Sequence, residues 1–148
     1  MDKAALVAHL RIVLDQRAAA LQAELSATLE ARNSDTKSSA GDKHEVGRAM
    51  VQQELDQLEG RLAGVLSMQQ ELARVPLDRT YERVGFGSLV RTDQGRYFLA
   101  IPLGLVELGS ESCYAVSVAS PIGQALLDRQ ADEVITFNGK RIAITAIT

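Results

Sequence analysis

Two carboxylates three positions apart, Asp42 and Glu45, are the residues whose types and spacing could do chemistry. Residues at i and i+3 lie on one side of a helix, and paired acids suit Mg²⁺, which proteins hold through one or two carboxylates plus phosphates and water. Lys43 and Arg48 follow closely and could contact phosphates or balance the acids. The same spacing is that of a helix-capping box, and Ser39 with Asp42 repeats it one turn earlier. Both interpretations stay open.

The acid pair lies between two long helical patterns. Residues 3–33 contain neither Gly nor Pro, and apolar residues on both sides of the pair recur at intervals of three and four. This pattern predicts a long N-terminal antiparallel coiled-coil hairpin over residues 1–75, with its tip near 34–42. Gly60 and Gly64 fall inside the second arm, where we expect them to permit close approach of the partner helix. The apolar positions are Leu6, Leu10, Val13, Ala20, Leu21, Leu25 and Leu29, then Val46, Met50, Leu55, Leu58, Leu62, Val65, Met68 and Leu72.

Residues 76–148 change from a helical period to the period of two that is typical of strands. Alternation predicts strands over 84–90, 97–101, 114–118, 134–137 and 141–147. Asp93-Gln94-Gly95 predicts a three-residue hairpin loop, and Asn138-Gly139 predicts a tight hairpin. Ser120-Pro121 predicts the start of a short helix, with Ser as N-cap and Pro at the first position. The fold class is therefore α+β, with a small antiparallel sheet and one short helix following the hairpin.

Composition excludes several classes of function. The 148 residues carry a formal net charge of −3 with no basic half, which argues against direct binding of duplex DNA. The single cysteine, Cys113, excludes an internal disulfide and is expected to be a buried core residue. No apolar run approaches membrane-spanning length, so we expect a cytoplasmic protein that has no contact with membranes. Both histidines, His9 and His44, fall in the hairpin, so the sheet domain offers no nucleophile and base set. We expect neither an enzyme nor a protein with a cofactor of its own.

The order of the parts, together with the string VSVASPIGQALL at Val116–Leu127, resembles the Gre-type transcription elongation factors of bacteria, which stimulate transcript cleavage. The resemblance covers nearly the whole chain by architecture and is sharpest at Ser117–Leu127. It implies that the sheet domain is FKBP-like. Prolyl isomerase activity is not implied, because that chemistry needs an aromatic-lined pocket and the chain has only three Phe and three Tyr, some of which must pack the core.

The resemblance implies RNA polymerase as the partner, and particular residues as its contacts. The sheet domain would dock on RNA polymerase through Ser120, Pro121, Ile122 and Gly123, while the hairpin enters the secondary channel. At the tip, Asp42 and Glu45 would share a polymerase-bound Mg²⁺ for hydrolysis of backtracked RNA. The isolated protein would hold no metal, and contact with the nascent RNA 3′ end would be indirect. Lys43 and Arg48 are further candidate contacts.

The sequence departs from the family pattern at the tip. If Glu45-Val46-Gly47-Arg48-Ala49 is matched to the family's Glu-Tyr-x-Ala-Ala, the acidic pair falls at Ser39 and Asp42, and the first acid is missing. Two alternatives therefore stand beside cleavage stimulation. One is a polymerase-binding regulator or inhibitor without cleavage activity, and the other is a coiled-coil interaction module unrelated to transcription.

Overall fold

The computed structural model describes the backbone of residues 1–35 and 41–148, and the side chains of residues 1–34 and 47–148. Two long helices come first, followed by strands and one short helix, so the predicted α+β class is confirmed. The elements are α1 (Lys3–Asp35), α2 (Gly41–Ala73), β1 (Leu89–Thr92), β2 (Gly95–Leu99), β3 (Gly104–Leu108), β4 (Glu111–Val116), α3 (Pro121–Leu126), β5 (Val134–Phe137) and β6 (Lys140–Ile147). None of the helices in these residues combines the length and apolar character needed to span a membrane.

The chain divides into two compact units. The hairpin unit is Ile12–Gln69, and the sheet unit is Met1–Arg11 together with Gln70–Thr148. The first turns of α1 and the last turn of α2 therefore belong to the sheet unit. The sequence-based division after residue 75 stays a prediction about which part folds independently.

The helices of the hairpin unit run antiparallel. Gln69 donates a hydrogen bond from Nε2 to Oδ1 of Asp15 at 2.8 Å, and Arg32 donates from Nη1 to Oε1 of Gln52 at 3.3 Å. Residue numbers therefore rise along α1, from 15 to 32, where they fall along α2, from 69 to 52. The two helices run in opposite directions. Among the described side chains of this unit, the buried seam consists of Leu14, Ala18, Leu55, Leu58 and Val65.

The apolar spacing in the sequence predicted only some of the buried positions correctly. Ala20 is exposed, as are Leu29 and Met50 at 39% and 67%, so these three positions were wrongly assigned to the seam. The prediction for Gly60 and Gly64 is also wrong. A Cβ atom added at either glycine would meet no atom within 4 Å in the part of the chain that the structure describes. Packing between α1 and α2 therefore does not explain these glycines.

The sheet has six strands in the order β3-β4-β2-β1-β6-β5. Four of the pairings are antiparallel, and β2 pairs with β4 in parallel. The sequence did not predict this parallel pairing, nor the strand β3, which lies at one edge.

The hairpin turns follow the chemistry of their residues. Thr92 pairs with Gly95, so the loop between β1 and β2 contains two residues and not the predicted three, and Gly95 takes a φ of 114°. Asn138 and Gly139 have φ values of 51° and 76°. Positive φ at both central residues is what a type I′ turn requires, so the prediction of a tight Asn-Gly hairpin is confirmed.

The segment before β1 forms a turn and not the predicted strand. Gly87 has a φ of 87°, and the hydroxyl of Ser88 donates to the carbonyl oxygen of Gly85 at 2.6 Å and accepts from its N–H at 3.1 Å. The hydroxyl of Tyr81 donates to the carbonyl oxygen of Phe86 at 2.6 Å. The backbone of Gly87 and Ser88 still bonds to Leu99 on β2, but the turn bends the preceding residues away from the sheet, and β1 begins at Leu89.

Both faces of the sheet are buried at its centre. Leu89 pairs with Phe98, and Phe98 with Ala115, so these side chains share one face and are all 5% exposed or less. Cys113 lies two residues before Ala115 on the same face and is buried as predicted. On the opposite face a cluster of Val84, Val90, Leu99, Leu126, Ile135, Ile142 and Ile144 packs between the sheet and α3. This second face carries the candidate site.

Candidate functional site

An aromatic groove of about 380 Å³ opens on the face of the sheet that α3 partly covers. Its floor comes from β2, β4 and β6, and its walls come from α3 and the two hairpin loops. We call it the sheet groove. It is lined by Gln94, Tyr97, Tyr114, Val116, Ile122, Phe137, Asn138, Lys140 and Ile142. The middle is apolar and aromatic, whereas the amides of Gln94 and Asn138 lie on the hairpin loops and the ammonium belongs to Lys140, the first residue of β6.

The parallel pairing of β2 with β4 creates the aromatic floor. Tyr97 is directly opposite Tyr114 in that register, and Leu99 is opposite Val116 two residues further on. Residues two apart on a strand share a face, so all four point to the side of α3. The two tyrosine rings stack with centroids 5.6 Å apart and planes inclined by 27°. Offset stacking of this kind is the favoured geometry for aromatic pairs.

Burial raises the pKa of Tyr97, and the neighbouring Tyr114 raises it further. The Tyr97 phenol therefore stays protonated and neutral throughout the physiological range, as a hydrogen-bond donor inside an apolar floor. Tyr114 is 42% exposed, unusually open for a large aromatic side chain in a small domain. A partner could bury this ring without rearranging the sheet.

The Asn138-Gly139 hairpin forms one wall of the groove. Phe137 and Lys140 pair with each other across this turn, so both reach the groove from the same end. Phe137 packs partly against the core, whereas Lys140 is exposed. Lys140 is the single charged residue in the lining, so the groove favours a partner segment with a carboxylate beside its apolar part.

The Ser120–Gly123 motif starts α3 and contributes Ile122 to the wall on that side. The hydroxyl of Ser120 donates to the carbonyl oxygen of Ser117 at 2.7 Å and accepts from the N–H of Gly123 at 3.1 Å, so Ser120 is the N-cap of α3, with Pro121 at the first turn. A Cβ atom on Gly123 would contact the Ser117 carbonyl oxygen and lie 2.8 Å from that of Val118. Glycine is therefore required by this close backbone approach.

This geometry divides the four predicted partner-binding residues into two pairs. Ser120 and Gly123 are used within the domain, in a cap and in a tight backbone contact. Ile122 lines the sheet groove and Pro121 is exposed, so these two are accessible to a partner. The assignment of all four to partner binding stays a prediction.

The predicted tip residues lie elsewhere on the chain. Asp42 and Glu45 are the second and fifth residues of α2, and the side chains of both, like that of Lys43, fall outside the described residues. Arg48 is described and exposed on α2. Among the described residues, no group of three or more His, Cys, Asp or Glu side chains could hold a metal ion. The roles of Asp42 and Glu45 as catalytic or metal-binding residues stay predictions.

Sequence reasoning missed the groove because it treated the aromatic residues as core material. Phe98 and Tyr81 are indeed buried, but Tyr97, Tyr114 and Phe137 line the groove. The argument that the domain has too few aromatics for an aromatic-lined pocket was therefore wrong. The available signal was the position of Tyr97 and Tyr114 on predicted strands, but their pairing depends on a register that no local pattern gives.

The chain resembles a solved structure in fold but matches no family model. No protein-family model matches the chain, and it has no significant match among curated proteins. Among solved structures it is similar to that of the transcription factor Gfh1, with 21% sequence identity over 93% of this chain and 92% of that chain, and a TM-score of 0.37. At this identity and TM-score the likeness concerns the fold alone.

Proposed function

We propose that this protein binds RNA polymerase as a Gre-like transcription elongation factor, and that the sheet groove is its docking site. The observation that carries the proposal is the position of Ile122. Ile122 directly follows the Ser-Pro pair that gives the sequence its resemblance to Gre-type factors, and it lines an open aromatic groove.

The lining of the groove suits a protein partner. Exposed aromatic side chains with a polar rim are typical of the residues that dominate binding energies, and tyrosine is enriched among them. Tyr114 and Ile122 would bury an apolar side chain of the partner, and Lys140 would pair with a neighbouring acid. The groove holds no nucleophile with an adjacent base, which favours binding over catalysis at this site.

The hairpin would carry the acids at its tip into the secondary channel of the polymerase. Asp42 and Glu45 stand three positions apart near the start of α2, a spacing that places them on one side of the helix. Together they would complete the coordination of a polymerase-bound Mg²⁺ and favour attack by water on backtracked RNA. If the alternative register holds, Ser39 replaces the first acid, and the protein binds polymerase as a regulator without cleavage activity.

The test separates binding from cleavage. Fluorescently labelled full-length protein is titrated with core RNA polymerase, and cleavage is followed in a stalled, backtracked complex at several Mg²⁺ concentrations. We expect saturable binding and faster cleavage. The double variant Asp42→Asn with Glu45→Gln should bind equally well, because neutral isosteres preserve the fold, but should lose the stimulation.

Two results would change the conclusion. Absence of binding to polymerase overturns the proposal and leaves a coiled-coil interaction module. Normal binding without stimulation by the wild-type chain at any Mg²⁺ concentration supports a polymerase-binding regulator and removes the catalytic role of the tip acids.

A further inference from the structure

A second groove, unrelated to the sheet groove, lies along the side of the hairpin unit. It is a shallow, open depression of about 410 Å³ between α1 and α2. We call it the hairpin groove. It is lined by Arg17, Ala20, Leu21, Arg61, Gly64, Val65 and Met68. The floor of the groove is apolar. The charged residues in its lining are two arginines, one from each helix.

The floor contains very small residues where the helices do not need them. Ala20 and Gly64 are both exposed, and a Cβ atom on Gly64 would meet nothing within 4 Å among the described residues. Glycine is the least favourable residue in a helix interior after proline, so its presence here has no explanation within the hairpin. Small residues let a neighbouring backbone approach closely, because the distance between packed helices depends on the side chains at the contact.

Both charged residues of the hairpin groove are arginines. Arg17 and Arg61 are exposed, and neither forms an ion pair with any residue in the described part of the chain. In the antiparallel register, Arg61 lies opposite position 23 of α1, about 9 Å along the axis from Arg17 at the helical rise. A partner helix lying in the groove would therefore meet one positive charge on each side, nearly two turns apart.

We propose that the hairpin groove binds an amphipathic helix of a partner protein, with an apolar strip of small and aliphatic residues bordered on both sides by Glu or Asp. The apolar strip would cover Leu21, Val65 and Met68, and the acids would pair with Arg17 and Arg61. This proposal does not depend on the function proposed for the sheet groove. Nucleic acid is a poorer fit, because the floor is apolar and the chain is acidic overall.

The probe is a designed helical peptide with a Leu and Ala strip and Glu in both bordering rows, titrated into ¹⁵N-labelled full-length protein. We expect amide shifts confined to residues 17–21 and 61–68, with a dissociation constant below about 1 mM. A peptide carrying Lys in place of every Glu should leave the spectrum unchanged. If the double variant Arg17→Glu with Arg61→Glu binds the Lys peptide and rejects the Glu peptide, ionic pairing at both arginines is established.

Two pairs of matched variants distinguish a change in the groove from a general loss of folding. Gly64→Leu fills the groove and should weaken peptide binding at least tenfold. Gly60→Leu raises helix propensity by the same amount but lies outside the lining, so it should leave peptide binding unchanged. Arg61→Glu should weaken binding, while Arg141→Glu changes the net charge equally in the sheet unit and should not. Shifts elsewhere, or no shifts at about 1 mM peptide, overturn the proposal. So would concentration-dependent dimerisation that perturbs the same residues without peptide, since the occupant would then be a second copy of this chain.

Discussion

Replacing Gly123 with alanine should destabilise the sheet unit more than removing the cap that Gly123 completes. The added Cβ would lie 2.8 Å from the Val118 carbonyl oxygen, 3.0 Å from Oγ of Ser120, and closer still to the Ser117 carbonyl oxygen. Real Cβ contacts are not made at such distances with backbone atoms, so the turn from Ser117 to Ser120 must move. Steric overpacking costs about 1–3 kcal/mol, and loss of the N-cap bond adds about 1 kcal/mol.

Taking the middle of each range, the expected net loss is about 2 kcal/mol, because alanine also restricts the unfolded chain and returns roughly 0.4–1 kcal/mol. Urea unfolding followed by near-ultraviolet circular dichroism measures it, since all three tyrosines (Tyr81, Tyr97 and Tyr114) lie in the sheet unit. Ser120→Ala is the matched control, because it removes the cap without a clash and should cost about 1 kcal/mol. Equal losses for the two variants, or a Gly123→Ala loss within about 0.5 kcal/mol of zero, would refute the close-contact reasoning.

Two further predictions concern protonation and helix stability. Burial raises the pKa of the Cys113 thiol to about 11, against a smaller opposite effect of Arg96. The native protein then keeps a proton that the unfolded chain releases, so the free energy of unfolding should fall between about pH 9 and 11, by at most about 1.4 kcal/mol per pH unit. Unfolding at a series of pH values should show a shallower fall in Cys113→Ala, and identical slopes would contradict the assignment. Gly64→Ala should raise the stability of the hairpin unit by about 1 kcal/mol, because the new methyl group enters open space. Helical circular dichroism during thermal unfolding checks this, and a lower melting temperature would show that the glycine is needed within the hairpin.

The elements that local chemistry dictates were predictable. A run of more than thirty residues without Gly or Pro gave α1, and the Asn138-Gly139 pair gave the hairpin between β5 and β6. Ser120 and Pro121 placed the start of α3 at the correct residue. In each case the signal and its structural consequence lie within one or two turns of chain.

The failures involve contacts between distant parts of the chain. The alternation from Val84 to Ser88 resembled a strand, but side-chain hydrogen bonds and the positive φ of Gly87 turn this segment aside. The aromatic floor needs Tyr97 beside Tyr114, seventeen positions away, through a parallel pairing that no short pattern encodes. The sequence could name Ile122 as a candidate contact but could not place it beside those rings.

The affinity of groove variants for core RNA polymerase tests the central claim most directly. Tyr114→Ala removes an aromatic ring that is 42% exposed, while Val134→Ala trims an exposed apolar side chain on β5 outside the groove. If the sheet groove is the docking site, Tyr114→Ala should cost about 2 kcal/mol or more, roughly a 30-fold weaker dissociation constant, as expected of a central interface tyrosine. Val134→Ala should bind like the wild type. Equal affinity of Tyr114→Ala and wild type for the polymerase, with the fold intact by circular dichroism, would contradict docking through this groove.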